Sequence, residues 1–351
     1  VKALYCSCGH RVFFDSNSCL ACGLQLGFDP DALCMRSLVP AATGTWQDSE
    51  GRQFRLCGNH GRHGSCNWLV PSFDPEPLCI SCRLTEIVPN LERPGNLLLW
   101  SRLELAKRRL LYTLLSLRLP LKNHASGQGL RFRFLEDQRR NPDVMEDFVS
   151  TGHLAGAITI NLAEASDAER HALREQMMER YRTVLGHLRH ESGHYYFNWL
   201  VNTPETLAGF RALFGDERQD YAAALQHYYE HGPASGWQSR FVSAYASAHP
   251  WEDWAESFAH YLHVLDVLET ARTFRLAPPG GERPAADWLR EWGDMVVTLN
   301  ELNRSLGLED AYPFVLTEPV RARLEFIRRL VEQHVGQQSA PAAEADSQTH
   351  S

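Results

Sequence analysis

The sequence predicts an α+β chain in two folded units: a small cysteine-rich module over residues 1–92, then a mostly helical domain with a small sheet over residues 93–335. Three observations point there. All nine cysteines fall within the first 82 of the 351 residues. From Leu97 onward, apolar residues recur over long stretches at the three- and four-residue spacing of a helix. Between those stretches, two short segments alternate apolar and polar residues, the period of a half-buried strand. An apolar fraction of 44% suffices for a sizeable core.

Taken in order, residues 1–90 are short, broken and rich in Gly, Pro and Cys, and such a segment folds only with a staple. Cys6, Cys8, Cys19 and Cys22 group as one set of four thiols, and Cys57, Cys66, Cys79 and Cys82 as a second, with Cys34 left over. Clustered cysteines in a reducing compartment point to zinc more than to disulfides. Four thiolates around tetrahedral zinc make a closed site that contributes folding energy and offers no position to a substrate. His10, His60 and His63 stand near enough in sequence to replace a thiolate. Residues 1–90 hold seven basic against eight acidic residues, so they lack the positive field of a nucleic-acid binder.

The run LLLWSRLELAKRRLLYTLLSL, stopped by Pro120, predicts one long amphipathic helix behind a boundary near Leu91 to Asn96. Strands follow at Leu130–Leu135 and Gly156–Leu162; in the second, Ile158, Ile160 and Leu162 share a face opposite Thr159 and Asn161. Ser166 and Glu169 form a capping box opening a helical stretch to about Leu200, with Gly186 a candidate break. Further helices are expected at about Pro250–Thr270, Ala285–Leu306 and Glu318–His334, and residues 336–351 read as a disordered tail. No run approaches the length of a membrane span and no apolar leader opens the chain, which predicts a cytoplasmic protein.

His190-Glu191-Ser192-Gly193-His194 places two histidines four residues apart, on one helical face, where they can share a metal ion. Zinc with three protein ligands keeps a water in its fourth position and lowers its pKa to about 7, and Glu191 stands where it can take that water's proton. A third ligand is required. On the segment from His249 to His263, Glu252, Glu256, His260 and His263 compete, with Pro250 at the helix start and Trp251, Trp254, Phe258, Tyr261 and Leu265 as the expected buried stripe. A rise of about 1.5 Å per residue separates Glu252 from His260 by roughly 12 Å, so one ion cannot use both ends.

With these segments in hand, the chain resembles the gluzincins, peptidases in which HExxH is completed by a glutamate on a following helix. Glu252-Asp-Trp-Ala-Glu256-Ser-Phe is similar to the glutamate helix of lethal-factor-type toxins and Pro-Pro endopeptidases. That resemblance implies Glu252 as the third zinc ligand, Glu256 behind it supporting a ligand histidine, and Tyr245, seven residues before Glu252, as an assisting catalytic tyrosine. Over nearly its whole length the chain resembles a bacterial family of zinc-binding metallopeptidases with an N-terminal zinc ribbon, through CNWLVP, CRLTEIVPNL, LELAKRRLLY, TGHLAGAITINLAEA, YRTVLGHLRHESGHYYF and HPWEDWAESFAHYL. The family shows Cys-x-x-Cys at the first pair, where this chain has Cys6-Ser7-Cys8.

The resemblance implies a zincin-like domain hydrolysing peptide bonds with one catalytic zinc and up to two structural ones. Its layout has the long helix backing the sheet, the strand through Ile158–Leu162 forming the edge that pairs with a peptide or protein substrate, and the HExxH helix forming the cleft floor. The ribbon would recruit substrate or a protein partner. In the alternative reading, the ribbon is a protein- or nucleic-acid-binding module and the second domain a metal-stabilised scaffold without turnover. An intact Glu191 favours the enzyme, since a scaffold has no use for a base beside the metal.

Overall fold

The computed structural model describes residues 1–42, 44–121, 129–171, 183–276 and 287–339. The cysteine-rich region is built from short strands: β1 (Leu4–Tyr5) and β2 (Arg11–Val12) pair with each other, and β3 (Gln25–Asp29), β4 (Cys34–Pro40), β5 (Trp46–Gln47), β6 (Gln53–Leu56) and β7 (Leu69–Pro71) form an antiparallel sheet in chain order. Two short helices, α1 (Gly58–His63) and α2 (Ile80–Arg83), start directly after Cys57 and Cys79. Little apolar surface is available to such pieces, and much of what is buried there is cysteine sulfur together with Phe14, Phe28 and Trp68.

The chain then crosses into the second body without a linker. β8 (Thr85–Ile87) follows Cys82 by two residues and pairs in parallel with β9 (Arg131–Leu135), giving a second sheet of order β10-β11-β9-β8 with β10 (Gly152–Leu154) and β11 (Ala157–Asn161). β11 is therefore an interior strand, parallel to β9 on one side and antiparallel to β10 on the other. The edge expected at Ile158–Leu162 is instead β10, because the turn at Ala155-Gly156, both at positive φ, folds Gly152–Leu154 back onto β11.

Helix α3 (Asn96–Ser116) backs this sheet. Its Lys107 is fully buried, paired with Glu104 at 2.8 Å and lying over the rings of Phe132 and Phe134 on β9, while Thr85 of β8 donates to Glu104 at 2.6 Å. Burying a charge is costly unless it is paired and hydrogen-bonded, and here helix, edge strand and central strand supply those partners together.

Five longer helices complete the domain: α4 (Val184–Leu200), α5 (Pro204–Phe214), α6 (Tyr221–His231), α7 (Pro250–Thr273) and α8 (Trp288–Ser305), followed by α9 (Glu318–Ser339). Residues 167–171 are helical, as the Ser166 cap predicts, and the rest of that expected stretch, 172–182, lies outside the described residues. Gly186 is not a break: Thr183 caps α4, and its hydroxyl accepts the Gly186 N–H at 2.9 Å. Helices α5 and α6 have no counterpart in the sequence reading, although Thr203-Pro204 and Asp220 are ordinary start signals. α9 runs to Ser339, past residue 336 where the tail was expected to begin, and residues 340–351 lie outside the described ones. Among the described residues, no helix is long and apolar enough to cross a membrane.

Candidate metal centre

Two helices carry the centre, and they meet backbone to backbone. α4 and α7 cross at Gly193, where an added methyl would lie 2.9 Å from Ala255 Cα and 3.2 Å from its carbonyl oxygen. The Trp254 indole N–H donates to the Gly193 carbonyl at 2.8 Å, locking the crossing. α7 starts firmly: Pro250 occupies its first turn, the His249 imidazole accepts the Trp251 N–H at 3.0 Å, and Glu252 and Asp253 complement the positive helix end. This start aims Glu252 at the face of α4 that carries both histidines.

His190, His194 and Glu252 each offer a ligand atom, and these atoms lie within 4.8 Å of one another. His190 Nε2 stands 3.0 Å and His194 Nε2 3.6 Å from Glu252 Oε2. On its other side His190 Nδ1 meets Glu256 Oε1 at 2.7 Å, and the Ser243 hydroxyl donates to Glu256 Oε2 at 2.6 Å. In the tautomer that donates Nδ1–H to Glu256, His190 Nε2 and Glu252 Oε2 turn lone pairs toward each other. Glu252 Oε2 is buried with the two imidazole nitrogens as its near neighbours, an arrangement that a shared cation suits.

Burial pushes the His190 imidazole down, but the Glu252 and Glu256 carboxylates outweigh it and hold the group well above its ordinary pKa. Burial likewise pushes Glu252 up, and hydrogen bonds and charge from His190 and His194 bring it well below the usual carboxylate range. Glu256, deeply enclosed and paired with His190, is brought down to about 2. The donor set, two imidazoles and one carboxylate with a polarised support behind one histidine, suits zinc.

The remaining residues singled out in the sequence fall around this triangle or away from it. Glu191 is buried and lines the cleft, and burial raises its carboxyl. Tyr245 lines the same cleft with its ring 6.0 Å from that of His190. His260 is directed elsewhere, its Nδ1 2.7 Å from the Tyr312 hydroxyl, and His263 packs on Trp292 and Tyr312. Trp251 departs from the expected buried stripe: it is 37% exposed, its ring packed edge-on against His194 and Phe197. The edge strand β10 brings His153 over His194, rings stacked at 6.3 Å.

Three partners escaped the sequence reading: His153, Ser243 and Tyr221, whose hydroxyl donates to Glu252 Oε1 at 2.6 Å. Ser243 and Tyr221 come from segments without a motif, and His153 lies in a motif that gave it no role. Only the N-cap at Asp220 hinted that Tyr221 opens a helix.

In the ribbon, Cys6, Cys8, Cys19 and Cys22 converge, as do Cys57, Cys66, Cys79 and Cys82, each set within 4.8 Å. The first includes two exposed thiols, whereas the second is wholly buried. Both sets are complete without histidine: His60 Nδ1 meets the Cys66 carbonyl and His63 packs on Trp100. Cys34 stands apart in β4.

Comparison with known proteins agrees with this division. A family model described as "Putative zinc-binding metallo-peptidase" matches residues 96–330, and one described as a zinc-ribbon domain matches residues 3–93. "Uncharacterized protein Rv2568c" of Mycobacterium tuberculosis and "Uncharacterized protein Mb2598c" of Mycobacterium bovis are each 41% identical over 338 residues, covering 93% of this chain and 94% of their own. No solved structure gives a significant match.

Proposed function

The chain belongs to the zinc-binding metallo-peptidase family that matches it over residues 96–330, and on that premise we propose that its cleft hydrolyses peptide bonds in a peptide or protein substrate. His190, His194 and Glu252 hold the zinc, Glu191 is general base and acid, and Tyr245 donates to the developing oxyanion. The observation that carries this reading is the 3.0 Å approach of His190 Nε2 to Glu252 Oε2 while Glu256 takes the proton of the same ring. Zinc, when bound, supplies Lewis-acid charge that polarises a scissile carbonyl and acidifies water near neutral pH.

The chain's own groups do the rest. Glu191, raised by burial, is suited to take a proton from water and return it to the leaving amine. Glu256, held by Ser243, keeps His190 in one tautomer and orientation. Burial, then the charge of Glu252, push the Tyr245 phenol upward, so it stays protonated and able to donate. The free side of β10 offers main-chain groups to an extended substrate, which would pair there whatever its side chains.

The two cysteine sets bring the stoichiometry to three zinc ions per chain, one catalytic and two structural, and the ribbon presents a surface for a protein partner. Nine free thiols, eight of them clustered, suit a reducing cytoplasm.

Glu191→Gln tests the reaction. In the zinc-loaded full chain, digesting a complex peptide mixture, the variant should keep its fold and zinc while turnover falls by at least about 10²-fold. Undiminished cleavage removes Glu191 from the mechanism. A wild-type chain that binds the cleft zinc and cleaves nothing returns the domain to the scaffold reading.

A further inference from the structure

Helix α6 buries none of its residues, so its hold on the domain runs through tyrosines on its cleft side. Tyr228 packs edge-on against Tyr245 at 5.6 Å. Tyr221, the first residue, sets its ring against His249 at 5.2 Å and Trp251 at 6.2 Å, and its hydroxyl reaches Glu252 Oε1. Asp220 fixes where the helix begins by accepting the Ala223 N–H at 3.0 Å.

The two oxygens of Glu252 therefore sit in different surroundings. Oε1 accepts a short hydrogen bond from a phenol; Oε2 is buried and faces both histidines. A carboxylate free to rotate can give both oxygens to one cation. A second oxygen there would compete for the position that a catalytic zinc must keep open.

We propose that Tyr221 is a positioning residue: by occupying Glu252 Oε1 it fixes the rotation of the carboxylate and leaves Oε2 as the single oxygen offered to the metal. This rests on the zinc-peptidase reading of the cleft. Tyr221 makes its polar contact with Glu252 and acts through that residue. It also ties a ligand to the same exposed helix that packs on Tyr245, so one surface element holds both sides of the cleft.

Tyr221→Phe keeps the ring packing and removes only the hydroxyl. The measurement is competition for zinc between the full-length chain and a soluble chelator such as nitrilotriacetate, following the one zinc that leaves before the thiolate-bound ions. The variant should melt with the wild type and hold the cleft zinc about 10- to 100-fold more weakly, the usual effect of losing a partner behind a metal ligand. At saturating zinc its kcat should fall with KM unchanged. Asp220→Ala, which loosens the helix start and spares the hydroxyl, should weaken zinc less. Equal zinc affinity in Tyr221→Phe and wild type overturns the assignment, as does an equal loss in both variants, which would make the helix and not the hydroxyl responsible. A wild-type cleft that takes up no zinc overturns the metal reading itself, a result distinct from either.

Discussion

The cysteine quartets and the cleft triangle are built from opposite materials. Cys57, Cys66, Cys79 and Cys82 are all buried and offer four ligand atoms of one kind. The cleft offers three ligands of two kinds, and different segments brace them: Glu256 and Ser243 behind His190, Tyr221 behind Glu252, His153 and Trp251 beside His194. A closed set of identical ligands contributes its binding energy to the fold. An open, unequal set holds a reactive ion in one orientation and depends on its surroundings to do so.

Loss of a ligand should consequently have different outcomes at the two kinds of site. The largest effect is expected from Cys79→Ser. It removes a ligand from a site whose binding free energy is about 10 kcal/mol or more in comparable modules, and Cys82 of the same set lies two residues from β8. The damage should reach the second sheet, seen as a lower melting temperature of the whole chain and one zinc fewer. An unchanged melt would mean that this quartet is not a structural metal site.

Glu252→Ala comes next: one zinc lost, hydrolysis abolished, the ribbon's zinc retained, and the chain still folded. Metal analysis beside a thermal melt checks it. If the zinc count holds, the third ligand lies elsewhere. The smallest effect belongs to Cys8→Ser. Its thiol is exposed, in a set with a shortened first pair. Zinc content should fall by one with turnover little changed, and a collapse of activity would break the division between staple and cleft.

The sequence carried those parts of the molecule whose chemistry is written in spacing. Two histidines four apart, a glutamate on a Pro-started helix, and cysteines in two groups of four each define a local geometry before any tertiary contact forms. What escaped depended on long-range placement. β11 has the composition of a strand, but its interior position follows from the hairpin that adds β10, and the alternation of Ile158 and Ile160 reads the same at an edge or a centre. Helix α6 buries nothing, so no buried face marks it, whereas α5 carries Leu207, Phe210, Leu213 and Phe214 at helical spacing and its signal was there to be read. Tyr221 is 31 positions from Glu252, and no spacing rule connects them.

Gly193, within the histidine motif, has one further consequence. Most neighbouring helices are held apart by side chains, and their separation adjusts as those side chains change rotamer. Here main chain rests on main chain, with no intervening atom to rearrange. The distance from the two imidazoles to the carboxylate is thus set by the stiffest component of the polypeptide. Motions that widen or narrow the rest of the cleft can pass around this contact while the span between the ligands stays constant.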